Sequence, residues 1–122
     1  MRPPSKRKPV LVVDDEPNVR SFVRTVLQRC GYMVLEAEDG VEAYELLKRL
    51  SGDIQLLVTD VQMPRMDGMT LGQKLRADYP KIEVLYMSGF VSKPPEHIPG
   101  LHFLSKPFRP DVLVRCVQDL CA

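Results

Sequence analysis

Short apolar runs alternate along the chain with stretches in which apolar residues recur every three or four positions. Val10-Leu11-Val12-Val13 is apolar without interruption, the pattern of a central strand covered on both faces. Val19, Phe22, Val23, Val26 and Leu27 then recur at helical spacing, with Pro17 suited to a first turn and Gly31 to a stop. A strand is predicted over 33–37. Asp39 with Glu42 three residues on has the form of a capping box, and Val41, Tyr44, Leu47 and Leu50 mark a second helix. Further strands are predicted over 54–59, 82–87 and 101–105, with a helix over 70–77 between the first two. Pro110 opens a last helix carrying Val112, Leu113, Val117 and Leu120. This βα alternation predicts an α/β fold, a parallel sheet with helices on both faces.

Four of these strands end in polar groups that can carry chemistry. Asp14-Asp15-Glu16 follows the first, Asp60 the third, Ser88 the fourth and Lys106-Pro107 the fifth. In an open parallel sheet, ligands bind at such strand ends. Three carboxylates gathered there would repel one another by about 4 kcal/mol per pair at 4 Å and an effective dielectric of 20. A divalent cation resolves that conflict, and an all-oxygen ligand set favours Mg²⁺ or Mn²⁺. Plainer readings stand beside these. Asp14 and Asp15 also suit the capped, dipole-favoured start of a helix, worth roughly 1 kcal/mol. Ser88 also suits a turn, and lysines such as Lys106 are usually exposed.

Composition narrows the class without changing the picture. The 122 residues suit one domain, and a hydrophobic share of 44% with 27% charged residues is that of a globular chain rather than a disordered one. The net charge of +1 gives no global argument for nucleic acid, and no direct nucleic-acid partner is expected. It is unevenly spread: Arg2, Lys6, Arg7 and Lys8 lie in the first eight residues and leave −3 on the rest. With Pro3, Pro4 and Pro9 alongside, residues 1–8 read as a tail or linker remnant before a domain over 9–122. No apolar run approaches a membrane span and the N-terminus has no signal-peptide core, so a cytoplasmic chain without membrane contact is expected. Cys30, Cys116 and Cys121 lack metal-ligand spacing and are expected to be free thiols, Cys121 the most exposed.

The stretch Asp60-Val-Gln-Met-Pro-Arg-Met-Asp-Gly68 resembles the phosphoacceptor loop of response-regulator receiver domains almost position for position, and Asp14-Asp15, Ser88 and Lys106-Pro107 complete the family's set. The resemblance runs from about Lys8 to the C-terminus. It implies a flavodoxin-like, doubly wound, five-stranded parallel sheet in the order 2-1-3-4-5. It implies that Asp60 is the nucleophile for a phosphoryl group, that Asp15 and Asp60 bind Mg²⁺ directly, Asp14 through water, and Gln62 through its carbonyl. Ser88 would hydrogen-bond the phosphoryl group and Lys106 would neutralise it, after a cis Lys106–Pro107 bond. Phe103 matches the family's aromatic switch, while Gln62 and Phe90 match positions that govern adduct lifetime. In this account Gly68 supplies a positive φ before the next helix. His97 and His102 carry no assigned role.

The donor would be a histidine kinase or histidine phosphotransfer domain, in a separate chain or the same polypeptide. The domain would be no classical enzyme; it would promote its own phosphorylation and autodephosphorylation and so switch a protein-binding surface. Tyr86-Met-Ser-Gly89 and Phe103-Leu-Ser-Lys-Pro-Phe108 look most like the C-terminal receivers of hybrid histidine kinases. With no effector segment after Ala122, the expectation is an excised module or a single-domain regulator of unknown oligomeric state. One departure from the family stands out. Residues 89–100 include Pro94, Pro95 and Pro99, so the usual fourth helix should be shortened or absent. Two other readings compete: a phosphorylation-independent pseudo-receiver that only binds partners, and a haloacid-dehalogenase-like phosphohydrolase. The second needs an acid two residues after the nucleophile, where this chain has Gln62.

Overall fold

The computed structural model describes residues 8–89 and 102–121. Five parallel strands, β1 (Val10–Val13), β2 (Val34–Ala37), β3 (Leu56–Asp60), β4 (Glu83–Ser88) and β5 (His102–Ser105), pair in the order β2-β1-β3-β4-β5. Among the described residues, four helices connect or follow them: α1 (Pro17–Arg29), α2 (Gly40–Arg49), α3 (Gly68–Asp78) and α4 (Pro110–Cys121). This is the flavodoxin-like order expected. The segment in which a helix should be shortened or absent, Phe90 and His97 included, lies outside the described residues, as do residues 1–7.

The unbroken apolar strands are explained by two cores. Val10, Val12, Val58, Leu85 and Met87 face α1 and α4, which contribute Val23, Leu27, Leu113 and Val117. Leu11, Val13, Leu57, Val84 and Tyr86 face the other way, against Ala43 and Leu47 of α2 and Leu71 and Leu75 of α3. Every residue of β1 and β3 is therefore buried. No helix among the described residues is long and apolar enough to cross a membrane.

Caps explain where the structure departs from the sequence-based boundaries. Helix α3 begins two residues earlier than expected, at Gly68, because the Asp67 carboxylate accepts the Thr70 amide at 2.8 Å and captures the first turn. The Asp39 carboxylate accepts the Glu42 amide as expected, but the Glu42 carboxylate reaches back to the Glu38 amide, one residue before the cap. Helix α1 stops where foreseen, with Gly31 at a φ of 94°. Strands β2, β3 and β4 start one or two residues later than the apolar runs suggest; Ile54 and Ile82 belong to the α2/α3-side core without joining a strand.

Two expectations are corrected. Cys30 is the exposed thiol, whereas Cys121 packs against the α1/α4 core and burial pushes its pKa up to about 11. Gly68 does not have a positive φ; that conformation falls on Arg65, at 68°. Gly68 is needed instead because a Cβ would strike the Asp60 carbonyl oxygen.

Candidate functional site

The carboxyl ends of β1, β3, β4 and β5 converge on one depression of about 260 Å³. It is lined by Asp15, Glu16, Asp60, Gln62, Ser88, Gly89 and Lys106. Strand β1 pairs with β3 in register, so the residues after Val13 emerge beside the end of β3. That is why Asp14, Asp15 and Asp60 can each offer an oxygen within 4.8 Å of the others'. Burial differs within the trio: Asp14 is fully buried and Asp60 nearly so, while Asp15 is exposed.

Asp14 is anchored rather than free. Its Oδ1 accepts the Glu16 amide at 2.9 Å, and Arg20 of α1 donates to its carbonyl oxygen at 2.7 Å. Neither Asp14 nor Asp15 caps α1; the capping position is Glu16, whose side chain makes no cap hydrogen bond. The N-cap part of the plainer reading is therefore not met, although the pair still lies just before the N-terminus of α1.

Lys106 enters from β5 and closes the acidic group. Its amide donates to the Ser88 carbonyl at 2.8 Å, tying the ends of β5 and β4 together, and the Lys106–Pro107 bond is cis. The Lys106 Nζ lies 2.9 Å from Asp14 Oδ2 and 3.4 Å from Asp60 Oδ1, with only 17% of its side chain exposed. The tighter partner is Asp14.

One cation facing three carboxylates leaves a surplus of negative charge, and Asp60 registers it. Burial pushes the Asp60 carboxyl up, Lys106 pulls it down and Asp14 pushes it up again, for a net rise above the usual carboxylate range. Burial opposes the Lys106 ammonium, but its hydrogen bond and attraction to Asp14, with Asp60 adding to them, raise its pKa overall. The donor set of hard, partly buried oxygens with excess negative charge fits Mg²⁺ or Mn²⁺.

Ser88 is half-buried on the pocket wall and Gln62 is exposed at its rim. The Phe103 ring is stacked on Tyr86 at 5.1 Å between centroids, one strand away from Ser88. His102 is less plain than expected, since its Nε2 lies 3.1 Å from Glu83 across the β4–β5 edge. Beside the acidic pocket lies an apolar depression of about 450 Å³ bounded by Val19 and Phe22 of α1 and by Pro107 and Phe108. The sequence marked Asp39 only as a helix cap and did not single out Arg65, yet their carboxylate and guanidinium meet at 2.7 Å beside the β3–α3 connection. The positive φ of an arginine has no signature in sequence.

The family profile of the response regulator receiver domain matches residues 10–118. Sensor kinase CckA of Brucella abortus is 39% identical over 115 residues, which cover 91% of this chain but 12% of that protein. A chemotaxis protein CheY homolog of Campylobacter jejuni is 38% identical over 118 residues, covering 91% of this chain and 90% of the relative. Among solved structures, the receiver domain from hybrid histidine kinase CckA superposes with a TM-score of 0.81 at 37% identity, covering 93% of this chain and 98% of that one.

Proposed function

The chain belongs to the response regulator receiver domain family, and from that membership we propose that Asp60 accepts a phosphoryl group from a phosphohistidine and that the modification switches a protein-binding surface. Domains of this family are generally signalling modules rather than enzymes. The observation that carries the reading is the meeting of Asp14, Asp15 and Asp60 at the strand ends, with one lysine ammonium in ion-pair contact with Asp14 and Asp60.

The chemistry required of the chain is modest. A carboxylate oxygen of Asp60 forms a bond to phosphorus as the P–N bond to the donor imidazole breaks, and the departing nitrogen keeps the electron pair. No general base is needed, because Asp60 reacts as the ionised carboxylate. Lys106 is placed to meet the charge of the phosphoryl oxygens, and the Ser88 hydroxyl lines the same pocket to donate to one of them. Asp14, Asp15, Asp60 and the Gln62 carbonyl would hold Mg²⁺ or Mn²⁺, whose charge would offset that of the incoming phosphate. Autodephosphorylation would follow by attack of water on the same phosphorus, with the P–O bond to Asp60 breaking so that the carboxylate leaves with the electron pair and inorganic phosphate is released.

The donor is assigned as a histidine kinase or histidine phosphotransfer domain, in the same polypeptide or another, in the cytoplasm. The likeness to CckA favours a hybrid kinase. Residues 9–122 would then form the receiver and 1–8 its linker.

Incubation with Mg²⁺ and a small acyl phosphate, followed by mass measurement, tests the assignment. A single phosphate adduct is expected in the unaltered chain and none in Asp60→Asn. An adduct of equal yield in Asp60→Asn would remove Asp60 from its role. Absence of any adduct would favour the pseudo-receiver, and rapid turnover of external phosphoesters the hydrolase.

A further inference from the structure

The connection between β3 and α3 carries Gln62 and is fastened at both ends. The Val61 amide donates to Met87 at 3.0 Å, and the Gly68 amide returns to the Val61 carbonyl at 2.8 Å. Between these fastenings Arg65 adopts a φ of 68°, which is disfavoured for any residue with a Cβ. A glycine there would relieve the backbone, so the arginine side chain must compensate for its own conformation. Its Nη2 and Nε lie 2.7 and 2.9 Å from a single oxygen of Asp39.

Asp39 is well placed to hold it. Its side chain is only 7% exposed, and its other oxygen caps α2 by accepting the Glu42 amide. Burial pushes the Asp39 carboxyl up, but the Glu42 amide and Arg65 outweigh that effect and leave it below the usual range. Gly40, the next residue, has no Cβ to collide with Met66, so the connection rests directly on the first turn of α2. Exposed ion pairs usually contribute little. Here the Arg65 side chain is 57% exposed, but the carboxylate is buried and gripped by two N–H groups of one guanidinium, and both ends of the pair are built into backbone features.

We propose that the Asp39–Arg65 pair is a positioning clamp, which holds residues 61–67 so that Gln62 and the end of β3 are preorganised for the divalent cation. This rests on the phosphoacceptor reading and assigns part of the cation affinity to two residues that line no part of the acidic pocket. Without the clamp the connection must be ordered when the cation binds, and affinity falls by that cost.

Titration of Mg²⁺ by calorimetry, with amide chemical shifts as a second readout, tests it on Arg65→Gly, Asp39→Asn, the double variant and Arg65→Lys. Arg65→Gly removes the pair while relieving the backbone, and Asp39→Asn retains a good helix cap. Each single variant is expected to bind Mg²⁺ about tenfold more weakly, with the double no weaker than either. Arg65→Lys should recover part of the loss, and the cation-free melting temperature of Arg65→Gly should not fall. A change in affinity below about twofold in both singles, or losses that multiply in the double, would overturn the clamp. Absence of saturable binding in the unaltered chain, or binding indifferent to Asp15→Asn with Asp60→Asn, would instead overturn the phosphoacceptor reading and the clamp with it.

Discussion

Asp60 is unfavourable to fold as a carboxylate, because it is buried beside Asp14 with one shared lysine. A carboxyl held above its ordinary value of 3.8 binds its proton more tightly in the folded chain. Its contribution to stability is therefore present below that pH and is lost as pH rises through the raised value. At neutral pH without divalent cation, Asp60→Asn should stabilise the fold by roughly 1 kcal/mol, the scale of an ordinary single substitution. Denaturant midpoints at pH 7 and near pH 3 check this, and the difference should shrink at the acidic end. An equal difference at both pH values would show that charge is not the cause. Asp14, Asp15, Asp60, Ser88 and Lys106 were legible in sequence because each ends an apolar strand or lies within two residues of its end. The preference of Lys106 for Asp14 was not, since it depends on how deeply each carboxylate is seated.

At the scale of elements, the fit of α3 on the sheet turns on two glycines. Gly68 lets the first turn approach the Asp60 carbonyl, and Gly72 leaves room for the Tyr86 hydroxyl of β4. Gly72→Ala would drive a methyl group into that hydroxyl and should cost about 1–3 kcal/mol, in the range of overpacked cores. Tyr86→Phe in the same background removes the struck oxygen and should restore much of the loss, read as a double-mutant cycle in urea. Additive effects would place the cost elsewhere. The strands were readable as apolar runs, and α1 and α2 as periodic stretches with stop and cap signals. The start of α3 was not, because Gly68 and Met69 carry weak helical periodicity and the Asp67 cap decides the boundary.

In the molecule as a whole, the ends of β1 and β3 hold three carboxylates together with one lysine beside them, so cation binding and folding should be linked. A cation held only by the folded chain adds about 2.7 kcal/mol of stability at a hundred times its Kd. Melting temperature should therefore rise with Mg²⁺, fall back with a chelator, and respond less in Asp60→Asn, whose carboxylate is missing. An unchanged melting temperature across the titration would argue against an Mg²⁺ site at the strand ends. By itself the sequence determined the βα order, the parallel sheet and the residues at the strand ends, because those follow from local periodicity and from short apolar runs that must be covered on both faces. Only the tertiary structure decided which thiol is exposed, which carboxylate Lys106 grips, and that Arg65 is tied to Asp39. These are distances between parts of the chain far apart in sequence, settled by how α1, α2 and α3 seat on the sheet.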